Sequence, residues 1–339
     1  MLTKPNDVTP TPRRVLLLGA TGTIGRATAR ALIARGYEVV CIVRASVSDL
    51  SDQSRIFRGK DLSGVELRYG QVASAGSLNS LIRREDGFDA IVSCLASRTG
   101  APKDAWAIDF QAHADVLAVA KDVGISHIVL LSAICVQKPR LEFQKAKLAF
   151  EKLLMNSGVT YSIVRPTAYF KSLSGQIERV RQGKPFLLFG SGELTSCKPI
   201  SNMDLATFIV DCLSEPDMQN EILPVGGPGK AITPREQGGF LFELLDRPAK
   251  FRRVPVGAIQ VISSALTALA HVVPTLADKA EFARIAHYYA TESMLVWDPE
   301  KAAYSPDGTP SYGLDTLKDH YRRVIEQDES VSLGDHAMF

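Results

Sequence analysis

The start of the chain combines a short apolar segment, a glycine-rich turn and a helical pattern. Arg14 is followed by Val-Leu-Leu-Leu, and Gly19, Gly22 and Gly25 then come with the spacing G-x-x-G-x-x-G. Glycines permit a tight bend between a strand and a helix, and they let the backbone approach a pyrophosphate at the helix N-terminus. The pattern therefore favours a dinucleotide-binding turn over a simple bend. The expected cofactor contacts in this turn are Gly19, Thr21, Gly22, Thr23, Ile24 and Gly25.

The following segments complete a strand–helix–strand unit. Gly36 stands where a helix that begins after the turn would end, and Glu38–Val43 is a second apolar strand. Arg44 follows, at the position where folds that prefer NAD place an acidic residue for the ribose 2′-hydroxyl. Because an arginine suits a 2′-phosphate instead, the sequence predicts NADPH as the cofactor. A surface arginine without such a role is the alternative.

Apolar strands alternate with helical patterns along the rest of the chain, as a parallel sheet with crossover helices requires. The predicted fold class is α/β, a Rossmann-type doubly wound parallel sheet with a smaller C-terminal substrate lobe. Further strands are predicted at 65–70, 88–94, 125–131, 160–164 and 222–225. The predicted domains are a flexible tail at 1–12, an NADP-binding core at 13–169, a substrate lobe at 170–202 and 232–304, a return to the core at 203–231, and a C-terminal helix and tail at 305–339.

Charge and cysteine usage exclude several classes of function. The 339 residues carry a net charge of +2 and contain no long basic run, so nucleic acid is not an expected partner. Five widely spaced cysteines without C-x-x-C spacing predict reduced thiols and no metal site. The first twelve residues show no signal or transit pattern, which together with the reduced thiols predicts a cytoplasmic protein.

The chemistry is expected just after the fifth predicted strand. The segment that begins at Ser132 reads Ser-Ala-Ile-Cys-Val-Gln-Lys-Pro-Arg-Leu-Glu-Phe-Gln-Lys-Ala-Lys and ends at Lys147. Phe143 and Lys147 are four residues apart and share one face of a helix. A lysine there can reach a cofactor ribose and add positive potential, although a solvated helix lysine is the alternative. A phenylalanine has no proton to give, which disfavours reduction of a ketone, because the alkoxide that forms needs a donor.

These motifs resemble a known superfamily. The glycine spacing resembles that of the extended and atypical short-chain dehydrogenase/reductases, whose Tyr-x-x-x-Lys pair matches positions 143 to 147 with Phe143 in place of the tyrosine. Within this superfamily, the segment 132–147 closely resembles the divinyl chlorophyllide (or protochlorophyllide) a 8-vinyl reductases. So does the segment Thr-Tyr-Ser-Ile-Val-Arg-Pro-Thr-Ala-Tyr-Phe-Lys-Ser-Leu at 160–173. The resemblance extends over most of residues 14–325.

The resemblance implies NADPH-dependent reduction of the C8 vinyl group of a tetrapyrrole to ethyl, in chlorophyll or bacteriochlorophyll synthesis. The macrocycle would delocalise the developing negative charge, so a phenol at position 143 is not needed. Lys147 is the leading candidate for proton delivery, Tyr169 is a weaker candidate or a pocket wall, and Cys135 is expected to be a buried thiol. The expected catalytic-site residues are thus Lys147, Phe143 and Tyr169, and the remaining expected cofactor neighbours are Leu95, Ala96, Ser132, Lys147, Pro166 and Thr167.

Residues 254–277 form a stretch without Asp, Glu, Lys or Arg. Its prolines, glycine and polar residues make it a poor membrane span. Ile262, Leu266, Leu269 and Val273 fall on one helical face, which favours a helix of the core or of a pocket. Peripheral contact with a membrane or with a pigment-handling partner is the alternative.

Three other functions stay open at this point. One is a reductase of planar aromatic substrates, similar to the isoflavone-reductase-like enzymes. Another is a non-catalytic NADP-sensing protein, favoured by the loss of the tyrosine and disfavoured by the retention of Lys147. The third is a sugar-nucleotide epimerase, which is disfavoured because such enzymes use the tyrosine as a base.

Overall fold

A computed structural model describes residues 14–44, 64–72, 75–270 and 272–327. The flexible tail predicted at 1–12 and the tail predicted at the C-terminus beyond residue 327 lie outside the described residues. The described strands are β1 Arg14–Leu18, β2 Glu38–Val43, β3 Glu66–Tyr69, β4 Ala90–Ser93, β5 His127–Leu131, β6 Thr160–Pro166, β7 Phe186–Phe189, β8 Glu221–Val225, β9 Phe251–Val254, β10 Val296–Asp298 and β11 Ala303–Ser305.

Seven parallel strands form the central sheet, in the order β3-β2-β1-β4-β5-β6-β8. β1 is an interior strand, since Val15 pairs with Val39 of β2 and with Ala90 of β4. The strand order changes direction between β1 and β4, and in such sheets ligands bind beyond the carboxyl ends of the strands at this reversal. Each strand predicted for this sheet is present, which confirms the Rossmann-type fold class.

Helices cover both faces of the sheet. The described α-helices are α1 Thr23–Ala34, α2 Ala75–Leu81, α3 Pro102–Ala105, α4 His113–Val123, α5 Glu142–Met155, α6 Phe170–Leu173, α7 Ile177–Arg181, α8 Asn202–Asp211, α9 Pro234–Leu244, α10 Val256–Ala270, α11 Ala277–Thr291 and α12 Leu317–Glu326. Val15 and Leu17 lie in one hydrophobic core with residues of α1 and α8, and Leu16 and Leu18 lie in another with residues of α4 and α5. Because successive strand residues point to opposite faces, burial of both faces explains the unbroken apolar run of β1.

The segment between α3 and α4 is a π-helix, Trp106–Ala112. The chain therefore runs helically from Pro102 to Val123 with one wider section in the middle. Such sections are rare and often occur at functional sites, because they redirect side chains without breaking the helix. This one carries Asp109, whose side chain is buried.

A third hydrophobic core is formed mainly by elements after β6. β7 pairs in parallel with β9, and β10 pairs antiparallel with β11. This core contains Leu188, Leu241, Ile285 and Tyr321, which come from β7, α9, α11 and α12. Residues 202–225 contribute α8 and β8 to the central sheet and its helix layer.

Helix α10 lies within the uncharged stretch and packs against α11. Ser263 is its only buried residue, whereas Ile262 is 56% and Leu269 is 51% exposed. Ile262 and Leu266 line a groove, as a pocket helix would, but the expectation that the apolar face is buried is wrong for Leu269 and Val273. The reason is that α11 covers only one side of this helix. Among the described residues, no helix is long and apolar enough to cross a membrane.

Candidate active site

The glycine turn between β1 and α1 is closed by a hydrogen bond from the Gly22 amide to the Gly19 carbonyl, at 3.0 Å. Gly19 has a φ of +76°, and a Cβ there would lie 2.6 Å from the Cys94 carbonyl group. A Cβ on Gly25 would lie 2.1 Å from the Gly19 carbonyl oxygen. The turn therefore requires glycine at both positions. At Gly22 the only described atom within 4 Å of a Cβ would be that same oxygen, at 3.3 Å, which leaves room for a ligand.

The N-terminus of α1 presents positive potential. Gly22 is its N-cap, and the first turn of the helix contains no acidic residue. The helix dipole and the first N–H groups are therefore not offset by a carboxylate in that turn. The Lys171 ammonium donates to the Thr23 hydroxyl at 3.0 Å and adds a full charge at this end of the helix. Half-buried Thr21 and buried Ile24 complete the turn, which fits a pyrophosphate.

Arg44 and the residues after β4 lie at the same edge of the sheet. Arg44 is exposed directly after β2, and β2 is the neighbour of β1. The Cys94 amide donates to the Leu18 carbonyl at 2.9 Å, so the chain leaves β4 beside the glycine turn. Leu95 is half-buried and Ala96 is exposed at this point. Their contacts with a cofactor stay predictions.

The hydroxyl groups of Ser132 and Thr167 both bind protein partners. Ser132 is buried at the end of β5, and its hydroxyl donates to the carboxylate of Glu151, which is also paired with Arg165. The Thr167 hydroxyl donates to the Lys198 carbonyl, directly after buried Pro166 at the end of β6. These hydroxyls anchor the loops at the carboxyl ends of β5 and β6.

Lys147 is held by a buried carboxylate. Its Nζ lies 3.0 Å from Oδ1 of Asp109, and the two side chains are 11% and 0% exposed. Asp109 also accepts hydrogen bonds from Ser97, from the hydroxyl at 2.6 Å and from the amide at 3.3 Å. A buried ion pair with these added hydrogen bonds fixes the ammonium in one place. The π-helix thus positions the lysine predicted to act in the site.

His113 lies next to this ion pair and is neutral. Its Nδ1 lies 2.9 Å from the Ile108 carbonyl and therefore carries the proton, while Nε2 lies 2.8 Å from the Ser93 hydroxyl and accepts from it. Burial, followed by the charge of Lys147, lowers the pKa of His113 to about 4. Because His113 is neutral, the positive charge beside Asp109 comes from Lys147.

Phe143 lies beside helix α11. A Cβ on Gly100 would meet Ile285 at 3.1 Å and the Phe143 ring at 3.5 Å, so these side chains converge on the loop after β4. The same interface is tied by the Glu142 amide, which donates to Glu281 at 2.9 Å. The phenylalanine therefore packs where α5, which covers one face of the central sheet, meets α11.

Two thiols and two phenols converge at the carboxyl ends of β4, β5 and β6. We call Cys94, Cys135, Tyr169 and Tyr289 the thiol–phenol cluster. Burial, and after it the neighbouring thiols of Cys94 and Cys135, raises the pKa of Tyr169. Burial also raises the pKa of Tyr289 well above its usual value, and the next cause is the Cys135 thiol, with which Tyr289 interacts. Both phenols therefore carry their protons at neutral pH.

An apolar groove of about 560 Å³ opens at the loop that carries Gly100, since Thr99 and Ala101 on either side of this glycine line it. The loop after β4, α10 and α11 form its walls. Its lining residues are Thr99, Ala101, Ile259, Ile262, Leu266, Asp278, Lys279, Phe282, Ala283 and Ala286. Within the described part of the chain, no cluster of histidine, cysteine or acidic residues is suited to hold a metal ion.

Comparison with known proteins decides the family. A family model described as NAD(P)H-binding matches residues 19–216, so the chain carries an NAD(P)H-binding domain. A chloroplastic divinyl chlorophyllide a 8-vinyl-reductase of Cucumis sativus is 46% identical over 337 residues, which are 97% of this chain and 80% of that protein. The chain belongs to the divinyl chlorophyllide a 8-vinyl-reductase family. A member from Arabidopsis thaliana is also 46% identical, over 95% of this chain and 78% of its own.

A solved structure of another reductase shares the fold of this chain. The complex of leucoanthocyanidin reductase with NADPH from Vitis vinifera superposes with a TM-score of 0.68 and covers 92% of this chain and 99% of its own. Its sequence identity is 15%, so the likeness establishes the shared fold alone.

Several site residues have no local sequence signal. Asp109 lies in a segment that reads as an ordinary helix, and Lys171 and Tyr289 lie in the less regular part of the chain. Each reaches the site only because distant segments pack together. The sequence indicates the region of the site only in general terms, because loops after parallel strands gather at one edge of the sheet.

Proposed function

We propose that this protein reduces the C8 vinyl group of a divinyl chlorophyllide or divinyl protochlorophyllide to an ethyl group, with NADPH as the reductant. The observation that carries this proposal is the 46% identity to vinyl reductases over nearly the whole chain. When bound, NADPH supplies a hydride. The chain's own residues must then bind the two partners, exclude water and deliver one proton.

The glycine turn and the charged residues around it are suited to bind NADPH. The open side of Gly22, the N-terminus of α1 and the Lys171 ammonium fit the pyrophosphate. Arg44 follows the strand next to β1, where a guanidinium can pair with a 2′-phosphate through two parallel hydrogen bonds. Lys147, fixed by Asp109, supplies positive charge near the ribose and the reacting carbon.

The surroundings of Phe143 suit a large apolar ring. Reduction of a conjugated vinyl group puts negative charge on the substrate itself, where the macrocycle delocalises it, so no oxyanion site is required. The apolar groove adjoins Gly100, near which the Phe143 ring lies, and it is walled mainly by aliphatic side chains and Phe282. We assign this groove to the macrocycle, because apolar walls with few polar groups are typical of such binding sites.

Incubation with defined substrates tests the function. Purified protein, NADPH and either divinyl chlorophyllide or divinyl protochlorophyllide should yield the monovinyl product, and a flavonoid ketone or a quinone should not be reduced. Lys147→Ala should lower the single-turnover rate about 10²–10⁴-fold at saturating NADPH. Lys145→Ala is the matched control, since Lys145 lies on the same helix but is paired with Glu142 at the surface. The proposal would be overturned if neither pigment yields a monovinyl product.

A peripheral membrane contact is the second part of the proposal. Val261 is 69% and Val272 is 81% exposed, at and just after the uncharged helix α10. Exposed apolar side chains on an uncharged helix favour contact with a bilayer surface. The protein should therefore sediment with lipid vesicles, and a Val261→Asp/Val272→Asp variant should remain in the supernatant. Equal distributions of the two proteins would refute this contact.

A further inference from the structure

We propose that Tyr289 of helix α11 is the proton donor of the reaction, in place of the phenol that is missing at position 143. This inference rests on the proposed function. The vinyl group gains a hydride from the cofactor at its terminal carbon and a proton from the Tyr289 hydroxyl at the carbon attached to the ring. The resulting phenolate regains a proton from water. Since a proton carries no electrons, both electrons that the vinyl group gains come from the hydride.

The first support is the way α11 packs against the loop after β5 and the start of α5. The neighbouring Tyr288 hydroxyl lies 3.0 Å from the Cys135 carbonyl and 3.2 Å from the Lys138 carbonyl, to which it can donate. Glu281, two turns earlier on α11, accepts from the Glu142 amide at the start of α5. These contacts hold α11 against the loop after β5 and the start of α5, and Tyr289 packs against the hydrophobic core that contains Cys135 and Tyr288.

The second support is the position of Phe143 relative to the same helix. The Phe143 ring and Ile285 meet at Gly100, and Tyr289 comes one helical turn after Ile285. Residues four apart lie on the same face of a helix. The face of α11 that places Ile285 beside Gly100 and Phe143 therefore also carries a phenol, one turn further along.

The third support is continuity with the cofactor turn. A Cβ on Gly19 would lie 2.6 Å from the Cys94 carbonyl group, and the Cys94 thiol acts electrostatically on the Tyr169 phenol. Tyr169 and the Cys135 thiol in turn both act electrostatically on Tyr289. Cys94 and Tyr169 pack against the core that contains β1 and α1, whereas Cys135 belongs to the third core, against which Tyr289 packs. The thiol–phenol cluster therefore includes residues of both cores, and Cys94, Cys135 and Tyr169 follow β4, β5 and β6 at the edge of the sheet where ligands bind in this fold.

The chemistry of these side chains favours Tyr289 over its neighbours. Tyr288 already has two backbone carbonyls as acceptors, and the thiols of half-buried Cys94 and buried Cys135 are weak donors. Lys147 is bound to Asp109. Tyr289 is half-buried and carries its proton at neutral pH, and the Lys147 charge acts on the neighbouring Cys135 thiol.

The test compares Tyr289→Phe with Tyr288→Phe and Tyr169→Phe in full-length protein with NADPH and divinyl chlorophyllide. Tyr289→Phe should slow single turnover about 10²–10⁴-fold while NADPH affinity stays within about twofold of wild type. It should also change the solvent deuterium isotope effect, because water would then supply the proton. Tyr288→Phe should lower the melting temperature without altering that isotope effect.

Three results would overturn the inference while the proposed function stands: near-wild-type turnover of Tyr289→Phe, an unchanged isotope effect in a slow Tyr289→Phe, or loss of proton transfer in Tyr169→Phe alone. Absence of monovinyl product with the wild-type protein would instead refute the proposed function. Circular dichroism and melting of Tyr289→Phe establish that the variant is folded, so a slow rate can be assigned to the missing hydroxyl.

Discussion

Asp109→Asn is expected to destabilise the folded protein and to release Lys147 from its fixed position. The two groups are 3.0 Å apart, with the Asp109 side chain fully buried and that of Lys147 11% exposed. At an effective dielectric constant of about 20, unit charges at this distance attract by about 5 kcal/mol. Loss of one partner of a buried pair commonly costs about 3–5 kcal/mol. Because asparagine retains an oxygen for Lys147 and Ser97, we expect the free energy of unfolding to fall by about 3 kcal/mol.

A double-mutant cycle isolates this ion pair from other effects of the substitutions. Chemical denaturation of wild type, Asp109→Asn, Lys147→Met and the double variant should give a coupling energy of at least about 2 kcal/mol. The matched control is the pair of Glu142 and Lys145 on α5, whose side chains are 23% and 46% exposed. Its coupling should be about 0.5 kcal/mol or less. Additive effects of Asp109→Asn and Lys147→Met would refute the argument that the π-helix fixes the lysine.

Three further outcomes are expected. Wild type should bind NADPH much more tightly than NADH, and Arg44→Ala should reduce that preference by about 1–3 kcal/mol in calorimetric titrations; equal affinities of wild type would remove Arg44 from the site. Gly22→Val should weaken NADPH binding at least tenfold, about 1.4 kcal/mol, with little change in melting temperature, since the φ of −73° suits any residue; unchanged affinity in the folded variant would place the pyrophosphate elsewhere. Burial lowers the pKa of His113 and His127 to about 4, against about 6.5 in an unfolded chain. Between these values only the unfolded state takes up the protons, so the free energy of unfolding should fall as the pH drops from 6.5 to 4, by up to about 3 kcal/mol per histidine, and His127→Gln should flatten the curve. A flat wild-type curve would contradict their burial as neutral groups.

The sheet could be predicted because its signals are local. β1 and β2 have the predicted bounds, and the glycine turn follows β1 and precedes a helix as predicted. Gly36 has a φ of +81° after α1, as expected for the residue that ends the helix. Buried parallel strands read as continuous apolar runs, and a turn that needs a left-handed residue requires glycine, so both features appear directly in the residue order.

The contacts that complete the site could not be predicted in the same way. The π-helix that aims Asp109 at Lys147 depends on packing between α5 and the segment before α4, and nothing in the local pattern distinguishes it from an α-helix. Lys171 meets Thr23 across 148 residues, and Tyr288 meets Cys135 across 153. Such contacts depend on how the two parts of the chain dock. The same dependence explains why α10, uncharged and apolar, leaves Leu269 exposed.

Isotope labelling of the product tests the central claim most directly. Divinyl chlorophyllide is incubated with the protein and NADPH deuterated at both C4 positions, and the pigment is analysed by mass spectrometry and NMR. The account predicts a monovinyl product with one deuterium in the methyl group of the new ethyl substituent, and a hydrogen from water on the carbon attached to the ring. No reduction of the vinyl group, or a reduced product without cofactor deuterium in that methyl group, would contradict it.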